Sequence, residues 1–249
     1  MSGVDLIGLF ILLLFVSLLI FFMAFERSRP AVFRPIRGYE SLKRAIERAV
    51  EAGERVHLSL GTGSVIGSDS APALAGLVIL TSIAETTKMS DKPVVATTGD
   101  GAMAILAQDT LRKVYSEGRA LDRYSPTSGR MLGPTPFSYV ANLPIFLVSE
   151  DVSVHVLAGS FGAEGALAAD FGERKGSFVL AGTDDAQSQA LLYATADNPL
   201  IGEEIFAGGA YLNLGRVYKA SLRVQDTVRM LIILGIIIGA VLSLLGVTR

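Results

Sequence analysis

The chain has no cysteine and only two histidines among its 249 residues. Without thiols there are no disulfides, no iron–sulfur clusters and no thiolate metal sites. With only His57 and His155, a histidine-rich zinc site is excluded unless acids complete it. Both fall inside strand-like runs, where a buried or edge histidine is the plain reading. No G-x-S-x-G elbow occurs either, so no catalytic residue is assigned. Charge of one sign is also lacking: the formal net charge is −2, with acids and bases interspersed, and no basic face suggests nucleic acid. Finally, 6–25 and 230–247 contain no ionisable side chain at all. A charge kept inside a membrane is kept mainly for function, so its absence argues against an ion pathway or proton relay.

Those two uncharged runs are the chain's dominant positive feature. At about 1.5 Å rise per residue, roughly 18–20 apolar residues cover a hydrocarbon core ~30 Å thick. Each therefore reads as a transmembrane helix, and the lipid bilayer is the first expected partner. The start Met1-Ser2-Gly3-Val4-Asp5 carries no Lys or Arg, and bulky Met23 and Phe25 lead into Glu26. That suits an uncleaved anchor rather than a signal peptide. Arg27, Arg29, Arg34 and Arg37 follow the first run and Lys219, Arg223 and Arg229 precede the second, against Arg249 alone on the other side. The positive-inside bias then expects 26–229 in the cytoplasm, with 1–5 and 248–249 outside the cell membrane. Gly235 and Gly239, followed by Ser243, sit at a spacing that lets another helix approach closely, although glycine is also common in membrane helices.

The intervening 26–229 is long enough for one domain with its own core. A basic, proline-containing stretch at 29–35 leads into an amphipathic helix at 39–53. There Leu42, Ala45, Ile46, Ala49 and Val50 share one face, and Gly53 stops it. A module of apolar strand, glycine turn and helix then recurs. Strands are expected at 56–60, 93–97, 152–157 and 177–180, each followed by a helix, at 71–88, 102–117, 163–171 and 186–196. This alternation implies βαβ crossovers and a mostly parallel sheet covered on both faces. The expected fold is a Rossmann-like α/β domain flanked by one N-terminal and one C-terminal transmembrane helix.

Two segments break the alternation. The stretch 121–144 is polar and contains Pro126, Pro134, Pro136 and Pro144, which reads as a long arm: a lid, a partner-binding loop or a disordered segment. Phe137, Tyr139 and Phe146 offer aromatic surface for docking on a neighbouring subunit. Near the end, 202–214 reads as a short helix interrupted by Gly208 and Gly209, and 216–228 as running into the second span.

All four glycine turns fall at the carboxyl ends of the expected strands, where parallel sheets bind ligands. Backbone N–H groups ahead of a helix favour anions there. The residues placed at this edge are Gly61, Thr62, Gly63 and Ser64, then Gly99 and Asp100, then Gly159 and Glu164, then Thr183 and Asp184. The spacing from Gly61 to Gly67 is G-x-G-x-x-x-G, one residue longer than the dinucleotide fingerprint. No acidic ribose-binding residue follows at the second strand, and no Gly-Lys-Ser/Thr ending is present. Glycine is equally what a tight strand-to-helix turn needs for its backbone alone. Asp100, Glu164, Asp184 and Asp185, with Glu203 and Glu204, could meet as oxygen ligands or serve as helix caps. No metal and no particular cofactor is assigned.

Several strings carry a resemblance: Val56-His57-Leu58-Ser59-Leu60-Gly61-Thr62-Gly63, Gly162-Ala163-Glu164-Gly165-Ala166-Leu167, Ala181-Gly182-Thr183-Asp184-Asp185 and the run from Ala196 through Gly208 and Gly209 to Leu212. Together they resemble an uncharacterised family of membrane-anchored bacterial proteins defined by a domain of unknown function. The resemblance supports the architecture and implies no activity. Two functional expectations stand side by side. One is a membrane-anchored, homo-oligomeric scaffold, serving a larger membrane complex and without catalysis. The other is a membrane-tethered sensor or enzyme that binds a nucleotide or another phosphorylated molecule at the glycine-rich strand ends.

Overall fold

The structure, a computed structural model, describes residues 3–26 and 33–244, with side chains from residue 6 onward. Arg27, Arg29 and Arg249, and the expected external residues 1, 2, 248 and 249, lie outside the described residues. Two units are present, one made of Met1–Arg34 with Gly215–Arg249 and the other of Pro35–Leu214. The first opens with α1 (Gly3–Phe25), which carries no basic residue in its last turn.

The second unit begins with α2 (Arg37–Ala52), closed by Gly53 at φ 68°, and continues into β1 (Arg55–Gly61). Val56, Leu58 and Leu60 alternate with His57 and Ser59, and all are buried. Burial of both sets is what a parallel strand covered on each face requires. Then come α3 (Ser70–Thr87), β2 (Val95–Thr98), α4 (Gly101–Glu117), β3 (Gly129–Met131), α5 (Pro136–Ser149), β4 (Val152–Ser160), α6 (Glu164–Lys175), β5 (Phe178–Gly182), α7 (Ala186–Thr195), β6 (Asn198–Pro199) and the one-turn α8 (Gly208–Tyr211). The sheet is parallel throughout, in the order β3-β2-β1-β4-β5-β6. From β1 the chain winds outward to β3, returns by α5 to β4, and winds outward the other way. Helices α3 and α4 accordingly pack on one face, with α2 beside them, while α5, α6 and α7 cover the other.

Helix α3 has the length and mean hydropathy (1.3) to cross a membrane, yet 56% of it is buried within the unit. A Cβ on Gly76 would run into the Ala158 carbonyl, so the helix lies directly on β4. Gly208 packs on Ile79 from the outer side. A helix covered on both sides needs no polar face.

The segment 121–144, read above as a Pro-rich arm, differs in the structure. It holds two short 3-10 turns (Leu121–Arg123 and Pro126–Ser128), the edge strand β3 and the start of α5. Proline accounts for the difference: Pro126 and Pro136 occupy first-turn positions, where no N–H is needed. Thr135 and Ser138 form a capping box around the start of α5. Strands β3 and β6, three and two residues long, are too short to show alternation.

The last helix, α9 (Arg216–Leu244), runs unbroken into the expected second span as far as Leu244, and 245–247 lie outside the described residues. It packs against α1, with Arg223 Nη1 3.3 Å from Glu26 Oε2 and its guanidinium over the Phe25 ring. Both terminal helices are long and apolar enough to cross a membrane.

Candidate functional site

The strand order reverses between β1 and β4, so the first loops to inspect are those leaving their carboxyl ends. Gly61 ends β1 at φ 71°; a Cβ there would run into the Ser160 carbonyl, which instead accepts the Thr62 N–H at 3.1 Å. A Cβ on Gly159 would run into the Leu60 carbonyl, so the two strands stay in contact to their very ends. The Gly61 carbonyl accepts from the Gly99 N–H at 2.8 Å and the Thr98 hydroxyl at 3.2 Å. Gly99 is held small by Thr62, whose Cγ2 a Cβ would meet at 2.6 Å, and Gly63 by Ser160 and the Asp69 carbonyl. Gly61, Gly63, Gly99 and Gly159 therefore all serve close backbone packing. Thr62 and Ser64 are half-buried on the loop that leads to α3.

The acidic residues at this edge act separately. Asp100 accepts the Met103 N–H at 2.8 Å and caps α4. Glu164 is buried and accepts the Gly162 N–H at 2.8 Å. Asp184 is exposed, and its neighbour Asp185 caps α7 by accepting from Ser188 at 2.7 Å. The Ser188 hydroxyl first, and then this N–H, hold the Asp185 carboxyl below its usual range. Thr183 is buried and exchanges hydrogen bonds with the Phe161 backbone. Glu204 accepts from the Ile201 N–H. Among the described residues no three of His, Asp and Glu converge as metal ligands.

Helix α3, like α2 and α6, differs from α4, α5 and α7. Those three have side-chain caps from Asp100, Thr135 and Asp185. Asp69, at the N-cap of α3, makes no such bond; its Oδ1 accepts the Ser68 hydroxyl instead. In the first turn of the helix that follows β1, the Ser70 N–H goes to the Gly67 carbonyl at 3.5 Å and Pro72 has no N–H, which leaves the Ala71 N–H without a side-chain acceptor.

Beneath the edge lies a polar chain that spacing alone could not reveal. The register pairs His57 with His155 and Ser59 with Thr97, and Tyr139 descends from α5 between them. His57 Nδ1 lies 2.9 Å from His155 Nδ1, and His57 Nε2 lies 2.8 Å from Thr97 Oγ1. Tyr139 Oη is 2.6 Å from Thr97 Oγ1 and 2.5 Å from Ser59 Oγ. All five side chains are buried. One proton fits between the two Nδ1 atoms. If His57 donates it, Thr97 donates to His57, Tyr139 to Thr97 and Ser59 to Tyr139, and His155 Nε2–H is left pointing toward the α6 backbone. That Nε2 has no hydrogen bond of good geometry. Burial, then His155 and Arg130, hold the His57 pKa well below its usual value. Burial lowers His155 to about 4, partly opposed by the Ala168 backbone, and pushes Tyr139 up to about 12. Both imidazoles are neutral at pH 7.

Two grooves lie elsewhere. One of about 520 Å³ sits at the amino ends of β4 and β5, beside Arg48, Glu54, Ser153, Glu173 and Asp197. A second of about 780 Å³ follows the β6 edge between Arg37 and Tyr193 and also reaches Asp197. Glu173 Oε1 accepts the Asp197 N–H at 2.8 Å. Burial first, and then the Asp197 carboxylate, raise the Glu173 pKa.

A family described as a domain of unknown function (DUF6754) matches residues 3–249. No curated protein and no solved structure matches the chain.

Proposed function

The chain belongs to the DUF6754 family, and on that footing we propose that its second unit is a Rossmann-like domain binding a phosphorylated small molecule, a nucleotide first of all, where β1 and β4 diverge in order. The observation that carries this reading is the uncapped amino end of α3, directly after β1 at the point where strand order reverses. In support, β3-β2-β1-β4-β5-β6 is the order of doubly wound dinucleotide-binding sheets, and a phosphate supplies the acceptor that Asp69 does not. The hydroxyls of Thr62, Ser64 and Ser70 lie on the same loop and first turn. In this reading α1 and α9 anchor the protein in the membrane, with the second unit on the cytoplasmic side.

The test is thermal unfolding of the detergent-solubilised full chain with nucleoside mono-, di- and triphosphates and inorganic phosphate. A ligand at 100 times its Kd adds about 2.7 kcal/mol of stability, a rise in Tm of several degrees. Ser70→Asp places a carboxylate in the first turn of α3. It should strengthen the free protein by roughly 0.3–1 kcal/mol while abolishing the ligand-induced rise. A wild-type Tm indifferent to the whole panel removes the reading.

A second reading, lateral assembly of anchored copies as a scaffold for a larger membrane complex, has its own observation. Among the described residues, an added Cβ at Gly235 or Gly239 would meet nothing within 4 Å, so that face of α9 is not used against the described part of α1 and is open to another helix.

A further inference from the structure

We propose that the outer face of α5, continued by α6, is a two-fold contact between two copies of this chain. Helix α5 contains no charged side chain anywhere in Pro136–Ser149. Tyr139, Val140, Leu143, Phe146 and Leu147 turn inward and are buried. The opposite face is apolar as well: Phe137 is 75% exposed, Ile145 72% and Val148 68%, with Ala141 between them. They follow one another at helical spacing and form a stripe along the whole helix. Helix α6 packs beside α5 and adds Leu167 and Phe171, exposed 49% and 37% and one turn apart. A surface helix ordinarily turns charged residues to water; this one has none to turn.

The area suits an interface. These side chains leave on the order of 500 Å² of apolar surface open, at the upper end of what a monomer carries. A stable pair buries ~800 Å² per partner around a more apolar centre, so the stripe supplies most of one such centre.

The charges decide what covers it. A helix that lies in a lipid surface carries Lys and Arg along its flanks. Here α5 is followed by Glu150 and Asp151, and Glu150 already bonds Arg55 and Arg130. At the rim on α6, Asp170 and Arg174 neutralise each other at 2.7 Å. A face without net charge meets its own copy across a two-fold axis without burying an unpaired ion. A second copy is therefore the occupant. Helices apolar enough to anchor each copy in one membrane would confine the search for it to two dimensions.

The absence of native cysteine makes the test direct. Ala141→Cys in the full chain, treated in its own membranes with a short bis-maleimide, should give a product of twice the monomer mass holding most of the protein. Glu47→Cys, exposed on α2, should stay monomeric. Adding Ile145→Arg to Ala141→Cys should abolish the product without lowering the Tm, since position 145 faces water in the single chain. The proposal is overturned if Ala141→Cys stays monomeric, if Glu47→Cys cross-links equally, or if the double variant still links. It is overturned too if the product has any mass other than twice the monomer (a different protein on the face), or if the thiol is shielded in membranes yet unlinked (lipid). None of these outcomes depends on nucleotide binding or on Gly235 and Gly239.

Discussion

At the scale of single residues, the two histidines illustrate how little a residue's identity says without its register. Each sits mid-strand with neighbours typical of a buried strand, and that much is legible in the sequence. That they meet at 2.9 Å depends on β4, almost a hundred residues later, adding beside β1 in one particular register. The consequence is a pH dependence. An unfolded histidine takes up a proton near pH 6.5, whereas folded His155 resists until about pH 4. A lowered folded value means full stability above pH 6.5 and progressive loss as pH falls toward 4. The slope for this residue is about 1.4 kcal/mol per pH unit, or roughly 3 kcal/mol over the window. Denaturation midpoints measured from pH 8 to pH 4 should fall accordingly, and His155→Asn should flatten the curve. A midpoint as high at pH 4.5 as at pH 7.5 would contradict the neutral pair.

At the scale of elements, the helices at the carboxyl edge separate acids that cap from one that does not. Asp100 closes the start of α4 with a real bond, and Asp69 at the start of α3 makes none. Asp100→Ala should cost about 1 kcal/mol, while Asp69→Ala should change stability by only a few tenths. Comparing urea midpoints of the two variants checks this; equal losses would mean that α3 is capped after all, and with it the anion reading weakens. The amphipathic α2 and the strand–turn–helix modules were readable because their periodicity is strong. The region 121–144 was not, because its turns and its three-residue edge strand carry no period, and its prolines stand at helix starts (Pro126 and Pro136) and inside α5 (Pro144) as well as in a loop.

At the scale of the whole molecule, two separate surfaces could join copies: the face of α5 on the second unit and the open side of Gly235 and Gly239 on α9. If both are used, assemblies larger than a pair form. Replacing Gly235 and Gly239 together by leucine fills that side. Native mass spectrometry of the full chain should then show species above the pair reduced to pairs. A mass distribution unchanged by the substitutions removes the glycine contact and leaves the α5 contact standing.

Runs of twenty apolar residues, and a repeat of strand, glycine and helix, are local properties. Hydrogen bonding within a helix and burial of both faces of a parallel strand leave few alternatives, so the terminal helices and the α/β character were readable from residue order. Strand order, the reversal between β1 and β4, the His57–His155 contact and the separation of the acidic residues arise from contacts between distant segments. Only the packed sheet settles those, because register and crossover direction follow from how non-local surfaces fit together. The turn glycines show the division most clearly. Their position at the strand ends was plain in the sequence, but that Gly61 and Gly159 close the gap between β1 and β4 was decided by backbone atoms a hundred residues away.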